Sequence, residues 1–199
     1  MEKAVSYLFG GEAKVKIMRL FIFNPSLTLS FSEVATRTKT RLNITRREIN
    51  GLIKAGLIKK RGKNLSLNRD YRYLSAISNF LTSATPLSEK QLVKRLAPAG
   101  NIKLILISGV LMHVPESRVD MLIVGDNIKQ AKLLSIMSSI EAEIGRELRY
   151  AVFETTDFQY RLGIYDKLIR DILESQHEKI LNKLGLHIAP VPAQGYPQA

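Results

Sequence analysis

The sequence predicts an α+β protein in which a basic N-terminal part is joined to a neutral C-terminal part. Residues 1–73 carry 16 Lys and Arg against 5 Asp and Glu, whereas residues 74–199 carry 14 against 13. Apolar residues recur at helical spacing in the N-terminal part, and nearly continuous apolar runs in the C-terminal part indicate buried strands. A basic half joined to a neutral half is typical of a polyanion-binding module fused to a second domain.

The composition argues against several other classes of protein. The 199-residue chain has no Cys, which excludes a disulfide framework and a thiolate metal site. Its three His residues lie far apart in sequence, so we expect neither a metal site nor another cofactor. No apolar run reaches the length of a membrane span, and the N-terminus lacks the layout of a signal peptide. We therefore expect a cytoplasmic protein with no membrane partner.

Three helices and a β-hairpin are predicted in order along the N-terminal part. The first helix extends from Glu12 to the "NP" pair that begins at Asn24. The second follows a Ser30-x-x-Glu33 capping box, and the third is "ITRREINGLIKAGL", which we expect to end near Gly56. The segment "IKKRGKNLSLN" then alternates polar and apolar residues about a Gly-Lys-Asn turn, as the strands of a β-hairpin do.

Over about residues 5–73, this order and spacing resemble the winged-helix regulators of bacteria and archaea. "LFGGEAKVKIMRLFIFNP" resembles their first helix, and "REINGLIKAGLIKKR" resembles the end of their recognition helix as it runs into the wing. The turn before the recognition helix departs from the family pattern, because it reads "TKTRLNIT" and leaves Asn43 or Thr45 as the N-cap. The resemblance implies a winged helix-turn-helix whose third helix enters the major groove of double-stranded DNA.

The predicted DNA contacts combine base-reading donors on the recognition helix with phosphate-binding cations on the wing. The segment from Arg37 to Lys63 holds ten Lys and Arg against one acid, Glu48. The residues expected to contact DNA are Arg41, Thr45, Arg46, Arg47, Asn50, Lys59, Lys60, Arg61 and Lys63. The alternative is that Arg46 and Arg47 are ordinary solvated charges on a helix surface.

The C-terminal part is predicted to be a small α/β domain. "IKLILISGVL", "VDMLIVGD" and "ELRYAVFE" indicate three strands, with an amphipathic helix, "NIKQAKLLSIMSSIEAEIG", between the second and the third. A short helix and then a long amphipathic helix over Ile164 to Leu184 should follow. The expected organisation is an N-terminal domain (1–73), a helical linker interrupted by Pro86 (74–100), a C-terminal domain (101–188) and a flexible Pro-rich tail (189–199).

Over about residues 102–162, the order of strand, Ser-Gly, loop, Asp-opened strand, helix and strand resembles the small nucleotidyltransferase domain of the DNA polymerase β superfamily. In that family a Gly-Ser pair cradles the nucleotide phosphates, and three Asp from two strands hold two metal ions. Asp120 matches the second Asp, but Arg118 stands where the first should be, and "LRYAVF" offers no third carboxylate. Since one carboxylate cannot hold two Mg²⁺ ions at useful affinity, the resemblance implies a degenerate domain without catalytic residues.

Three interpretations of Asp120 are open at the level of sequence. Asp120 stabilises the end of a strand, or it pairs with Arg118 or Arg146, or it lines a pocket that binds a nucleotide or another small effector. In the last case Ser108 and Gly109 are the further candidate ligand-binding residues, because a turn of small residues exposes backbone N–H groups to an anion.

The sequence therefore predicts a DNA-binding transcriptional regulator that is not an enzyme. Its nucleotidyltransferase-like domain would serve for dimerisation or effector sensing, and the segment "GRELRYAVFETTDFQYRLGIYDKLIRDIL" resembles the end of that domain in regulators that also carry a winged helix. The long helix over Ile164 to Leu184 offers an apolar face either to a homodimer or simply to the core. The alternatives are an active nucleotidyltransferase of an antitoxin type that modifies protein or RNA, and a protein that binds RNA or the ribosome.

Overall fold

The computed structural model of the protein describes residues 3–84, 87–112 and 117–186. It has the predicted α+β class and divides into two compact units. The first unit comprises Met1–Ser88 and Met137–Glu147, and the second comprises Glu89–Ile136 and Leu148–Ala199. Both Pro86, where the sequence predicts an interruption of the linker, and the Pro-rich tail lie outside the described residues. No helix in the described ranges combines the length and the apolar character that crossing a bilayer requires.

The first unit contains the predicted order of helices followed by a hairpin. Its helices are α1 (Lys3–Leu8), α2 (Glu12–Ile22), α3 (Phe31–Thr38), α4 (Leu42–Lys54) and α5 (Leu74–Ser83). Its strands β1 (Thr28–Leu29), β2 (Ile58–Arg61) and β3 (Asn64–Leu67) form an antiparallel sheet in the order β1-β3-β2. The predicted hairpin is therefore β2 and β3. The sequence does not predict α1 or β1, because elements this short carry no periodic pattern.

Local sequence signals account for the boundaries of several of these elements. The capping box that begins α3 is confirmed: Ser30 Oγ accepts a bond from the backbone N–H of Glu33, and Glu33 Oε2 accepts one from the N–H of Ser30. These bonds from Ser30 hold the pKa of the Glu33 carboxyl below its ordinary value. In the hairpin, Gly62 adopts a φ of 60°, which a residue without a Cβ tolerates best, and with Lys63 it joins β2 to β3.

A buried arginine lies in the core of the first unit. Arg19 of α2 is 1% exposed, and its Nη2 donates to the carbonyl oxygen of Ala84 at 2.7 Å. The apolar core of the unit draws residues from every helix and from the sheet; among the most deeply buried are Val15, Ile17, Phe21, Val34, Ile49, Leu57 and Leu65. Their burial is the main source of stability for the unit.

The second unit is a mixed four-stranded sheet with helices packed on it. Its elements are α6 (Glu89–Leu96), β4 (Asn101–Ile107), β5 (Met121–Asp126), β6 (Tyr150–Phe153), α8 (Thr155–Gly163), α9 (Lys167–Glu174) and β7 (Glu178–Asn182). Helix α7 (Gln130–Ile144) follows β5, and its residues from Met137 onward group with the first unit. The sheet order is β6-β5-β4-β7, with β5 and β6 parallel and the other two pairs antiparallel.

The central strand β4 is buried on both faces, as its apolar sequence predicts. Leu104, Ile105 and Leu106 are at most 1% exposed although their side chains alternate between the faces. Leu104 and Leu106 share a cluster with Phe158 of α8 and Ile169 of α9. The helices after β6 therefore cover one face of the sheet.

The prediction of a long helix over Ile164 to Leu184 is wrong. Helix α9 ends at Glu174, Ser175 takes an extended conformation, and β7 then pairs antiparallel with β4, with Leu181 opposite Ile105. The paired apolar residues that suggested a helix fit an edge strand equally well, and pairing with β4 satisfies backbone groups that would otherwise be left without bonds. The longest helix of the described residues is α7. The continuous C-terminal helix that was expected to offer a homodimer interface does not form.

Candidate nucleic-acid interface

Helix α4 has one exposed polar face and one buried face. The exposed positions recur at helical spacing and carry hydrogen-bond donors or positive charge: Asn43, Arg46, Arg47, Asn50 and Lys54. The buried positions are Thr45, Glu48, Ile49 and Leu52. The cations of α4 face outward because its apolar residues pack into the core of the first unit.

The start of α4 differs from both predicted N-caps. The helix begins at Leu42, with Arg41 in an extended conformation at the N-cap position and no side-chain cap. Thr45 is fully buried, and its Oγ1 bonds Thr40 Oγ1 at 2.6 Å and donates to the carbonyl oxygen of Arg41 at 3.1 Å. The prediction that Thr45 contacts DNA is therefore wrong, because its hydroxyl is consumed in closing the turn before the helix.

Arg46 is the exposed arginine of α4 whose charge is not offset by a neighbouring acid. It has no hydrogen-bond or salt-bridge partner among the residues that the structure describes, and the same holds for Arg41 and Lys54. The side chain of Asn50 lies one turn further along the same exposed face. These donors are accessible to a ligand without breaking an internal contact.

Arg47 is exposed, but its guanidinium is already bonded to an acid. Its Nε and Nη2 donate to Glu48 Oε1 at 2.9 and 2.7 Å, and Lys14 of α2 contacts Glu48 Oε2 at 3.3 Å. The side chain of Glu48 is 9% exposed while that of Arg47 is 73% exposed. A buried carboxylate is thus neutralised by two cations, one from its own helix and one from α2.

The hairpin carries four cations, of which two contact another side chain and two have no described partner. Lys59 Nζ lies 2.9 Å from Asp70 Oδ2, and this hydrogen bond holds the pKa of the Asp70 carboxyl below its ordinary value. Lys60 Nζ lies 5.5 Å from the ring centroid of Phe31. Arg61 and Lys63, at the turn end of the hairpin, are exposed and contact no charged partner in the described part of the chain.

The ten cations between Arg37 and Lys63 therefore divide into an engaged and an accessible group. Arg37 lies 3.6 Å from Glu147, and Lys39 Nζ donates to Ser139 Oγ at 3.0 Å. Together with these two, the engaged cations are Arg47, Lys59 and Lys60. The accessible cations, which have no partner within residues 3–84, 87–112 and 117–186, are Arg41, Arg46, Lys54, Arg61 and Lys63.

Asp120, the candidate residue of the second unit, joins two loops at the start of β5. It is 1% exposed; its Oδ1 accepts the backbone N–H of Val110, and its Oδ2 accepts that of Arg149, both at 2.8 Å. The Arg149 guanidinium lies 3.5 Å from both oxygens. The predicted alternative in which Asp120 pairs with Arg118 or Arg146 is wrong. Arg118 contacts Asp171 at 2.8 Å, and Arg146 lies over the ring of Phe23.

Ser108 and Gly109 lie against Asp120, and the hydroxyl of Ser108 is already bonded. Ser108 is 2% exposed, and its Oγ donates to the carbonyl oxygen of Gln176 at 2.5 Å. Gly109 has a φ of 54°, and a Cβ at this position would overlap Asp120 Oδ1. The three predicted ligand-binding residues are thus brought together in a closed hydrogen-bonded junction. Among the described residues, no cluster of three or more His, Asp and Glu is placed to hold a metal ion.

The contacts of two residues in these sites could not be predicted from the sequence. Lys14 reaches Glu48 from another helix, and Arg149 reaches Asp120 across parallel strands. Both pairs join residues that are distant in sequence, and a single sequence records no such pairing. Spacing rules detect partners three or four residues apart on a helix, such as Arg161 and Asp157, and not these.

Comparison of the chain with protein-family models, with curated proteins and with solved structures found no match. Of the two candidate sites, the α4 and hairpin surface offers accessible donors, whereas the Ser108 hydroxyl and both carboxylate oxygens of Asp120 already have hydrogen-bond partners.

Proposed function

We propose that the protein is a transcriptional regulator that binds double-stranded DNA through a winged helix-turn-helix. In this proposal α2, α3 and α4 form the helical part, α4 is the recognition helix, and the β2–β3 hairpin is the wing. The observation that carries the proposal is the exposed face of α4, on which Arg46, Asn50 and Lys54 project from a helix whose opposite face is buried.

The chemistry of these side chains fits the major groove. Arg is suited to the acceptor edge of guanine, and Asn is suited to the donor–acceptor edge of adenine. Lys54, Arg61 and Lys63 suit phosphates, which position a protein on DNA and make its affinity dependent on salt. Lys59 and Lys60 contribute less in this proposal, because each is already engaged with Asp70 or with Phe31.

The second unit is, in the same proposal, a nucleotidyltransferase-like domain that has lost its chemistry and serves dimerisation or effector sensing. The predicted order of strand, loop, strand, helix and strand in β4, β5, α7 and β6 supports this assignment. The contacts of Asp120 support a structural role for that residue, because both of its oxygens accept backbone N–H groups. In this proposal Asp120 and the Ser108 hydroxyl hold the junction together and do not contact an effector.

Selection of bound sequences from a random duplex library tests the proposal. We expect enrichment of one motif, and a motif of two inverted half-sites would indicate that the binding form is a homodimer. Structured RNA should compete poorly with the enriched duplex at equal phosphate concentration. Failure to enrich any motif, or preferential competition by the RNA, would contradict a sequence-specific DNA regulator.

A further inference from the structure

Glu48 is the only acidic residue between Arg37 and Lys63 in the sequence, and it lies on the proposed recognition helix. It occupies the inner face of α4, where it is 7% exposed. Burying a carboxylate is unfavourable unless the charge is paired and hydrogen-bonded, and an apolar residue at this position would avoid that cost. A buried carboxylate directly beneath the cationic face of α4 therefore calls for an explanation beyond packing.

The contacts of Glu48 connect the interior of the unit to its surface. Its Oε2 faces Lys14 of α2, and its Oε1 accepts from both Nε and Nη2 of Arg47. These bonds occupy one edge of the Arg47 guanidinium, whose five N–H donors have a fixed geometry. The N–H groups of Nη1 have no partner in the described ranges, so Arg47 retains donors for a second acceptor.

We propose that Glu48 is a positioning and specificity-determining residue, which fixes the guanidinium of Arg47 for one DNA register and weakens its attraction to other polyanions. The inference rests on the proposed function of α4. Glu48 would act from the buried side of α4, through its hydrogen bonds to the exposed guanidinium of Arg47.

Two physical effects of the Glu48–Arg47 pair act in the same direction. A guanidinium held by two hydrogen bonds loses less rotational freedom when it binds its correct acceptor, so binding to the matching site is favoured. The carboxylate also offsets the charge of Arg47, so Arg47 displaces less of the counterion atmosphere of DNA than a free arginine does. The affinity for mixed-sequence duplexes therefore falls, the matching site recovers part of this loss through the fixed guanidinium, and the ratio of specific to nonspecific affinity rises.

A purely structural role makes a different prediction. If Glu48 only clamps α4 to α2 through Lys14, its replacement changes the unfolding temperature but leaves the salt dependence of DNA binding as it was. The salt dependence reports how many phosphates are neutralised, which folding stability alone does not alter.

The test is a double-mutant cycle of Glu48→Gln with Arg47→Ala in the full-length chain. Binding is followed by fluorescence anisotropy, over a series of salt concentrations, with a labelled duplex of mixed sequence and with the duplex enriched by selection. We expect Glu48→Gln to raise affinity for the mixed-sequence duplex severalfold at low salt and to steepen its salt slope by up to about 0.9. The ratio of the two affinities should fall. With Ala at position 47, Glu48→Gln should change the slope little.

The second variant, Glu48→Asp, keeps the charge and withdraws the carboxylate by one methylene group. It should lower the ratio of specific to nonspecific affinity while leaving the mixed-sequence slope closer to that of the wild type. Thermal unfolding identifies any variant that fails to fold, and the other variant then carries the test.

The possible outcomes separate this inference from the function on which it rests. An unchanged slope and ratio in Glu48→Gln, or an equal change with Arg47 and with Ala at position 47, would overturn the positioning role while DNA binding stands. Absence of salt-dependent duplex binding by the wild type would overturn both.

Discussion

Nη1 of Arg19 donates a hydrogen bond of 3.0 Å to the carbonyl oxygen of Glu143, which lies 124 residues later in the chain. Gly145, two residues beyond, has a φ of 83°, and a Cβ there would lie 2.6 Å from the carbonyl carbon of Arg19. Asn24 Nδ2 donates to the carbonyl oxygen of Gly145 at 2.6 Å. The segment from Met137 to Glu147 is therefore an integral part of the first unit, although it is remote in sequence from the rest of it.

Replacing Arg19 with Met should destabilise the protein strongly. The substitution keeps much of the buried aliphatic volume but removes the hydrogen bonds that Arg19 donates to the carbonyl oxygens of Ala84 and Glu143. Buried groups that lose a partner cost about 1–3 kcal/mol each, so we expect the loss of two bonds to lower the free energy of unfolding by about 2–6 kcal/mol. Urea unfolding followed by circular dichroism measures it.

The matched control for this experiment is Arg170→Met. Arg170 is exposed, and its contact with Glu174 is a surface pair at 3.8 Å, so its loss should stay within about 0.5 kcal/mol. Equal effects of the two substitutions would show that Arg19 does not hold the segment in place.

Gly109→Ala should destabilise the second unit. The new Cβ would collide with Asp120 Oδ1, and the φ of 54° is unfavourable for alanine. Relief of the collision must displace Asp120 from the backbone N–H groups of Val110 and Arg149, so we expect a loss of about 2 kcal/mol or more. Gly163→Ala is the control, because it lies in α8 with open space around its Cβ and should be neutral or slightly stabilising. Thermal unfolding compares them, and a neutral Gly109→Ala would refute the closed junction.

Asp126 should contribute to stability in a pH-dependent way. Its Oδ2 lies 2.6 Å from Lys103 Nζ, and its Oδ1 accepts the N–H of Thr155. The bond from Lys103 is the main reason that the pKa of the Asp126 carboxyl lies below its ordinary value. A carboxyl whose pKa is lower in the folded state stabilises the fold above its unfolded pKa of about 3.9, and this stabilisation is lost as pH falls through the folded pKa.

Asp126→Asn therefore should reduce stability at neutral pH, and the difference from wild type should shrink as the pH falls below about 4. Urea midpoints of both proteins at a series of pH values measure this. A difference that stays constant down to acid pH would mean that Asp126 acts only as a neutral hydrogen-bond acceptor.

Features set by local interactions were predictable from the sequence. The Ser30 capping box, the hairpin turn at Gly62 and the buried strand β4 each follow from residues close together in the chain. The exposure of Arg46 and Asn50 also follows, because the apolar residues of α4 determine which of its faces is buried.

Features set by distant contacts were not predictable in this way. The segment after α9 has apolar pairs compatible with a helix or a strand, and it becomes β7 because β4 offers it an edge. Thr45 fits a surface position by residue type, but Thr40 and Arg41 take up its hydroxyl. Helical periodicity shows that α7 has a buried side, but it does not identify Arg19 as a residue bonded to that helix.

The most direct test of DNA binding by α4 is the salt dependence of duplex affinity for wild type, Arg46→Ala and Arg170→Ala. Both substitutions remove one exposed positive charge, but only Arg46 lies on the proposed recognition helix. The account predicts that Arg46→Ala weakens binding and reduces the slope of log affinity against log salt by about 0.9, while Arg170→Ala behaves as the wild type. Equal slopes for all three proteins, or no salt-sensitive binding by any of them, would contradict it.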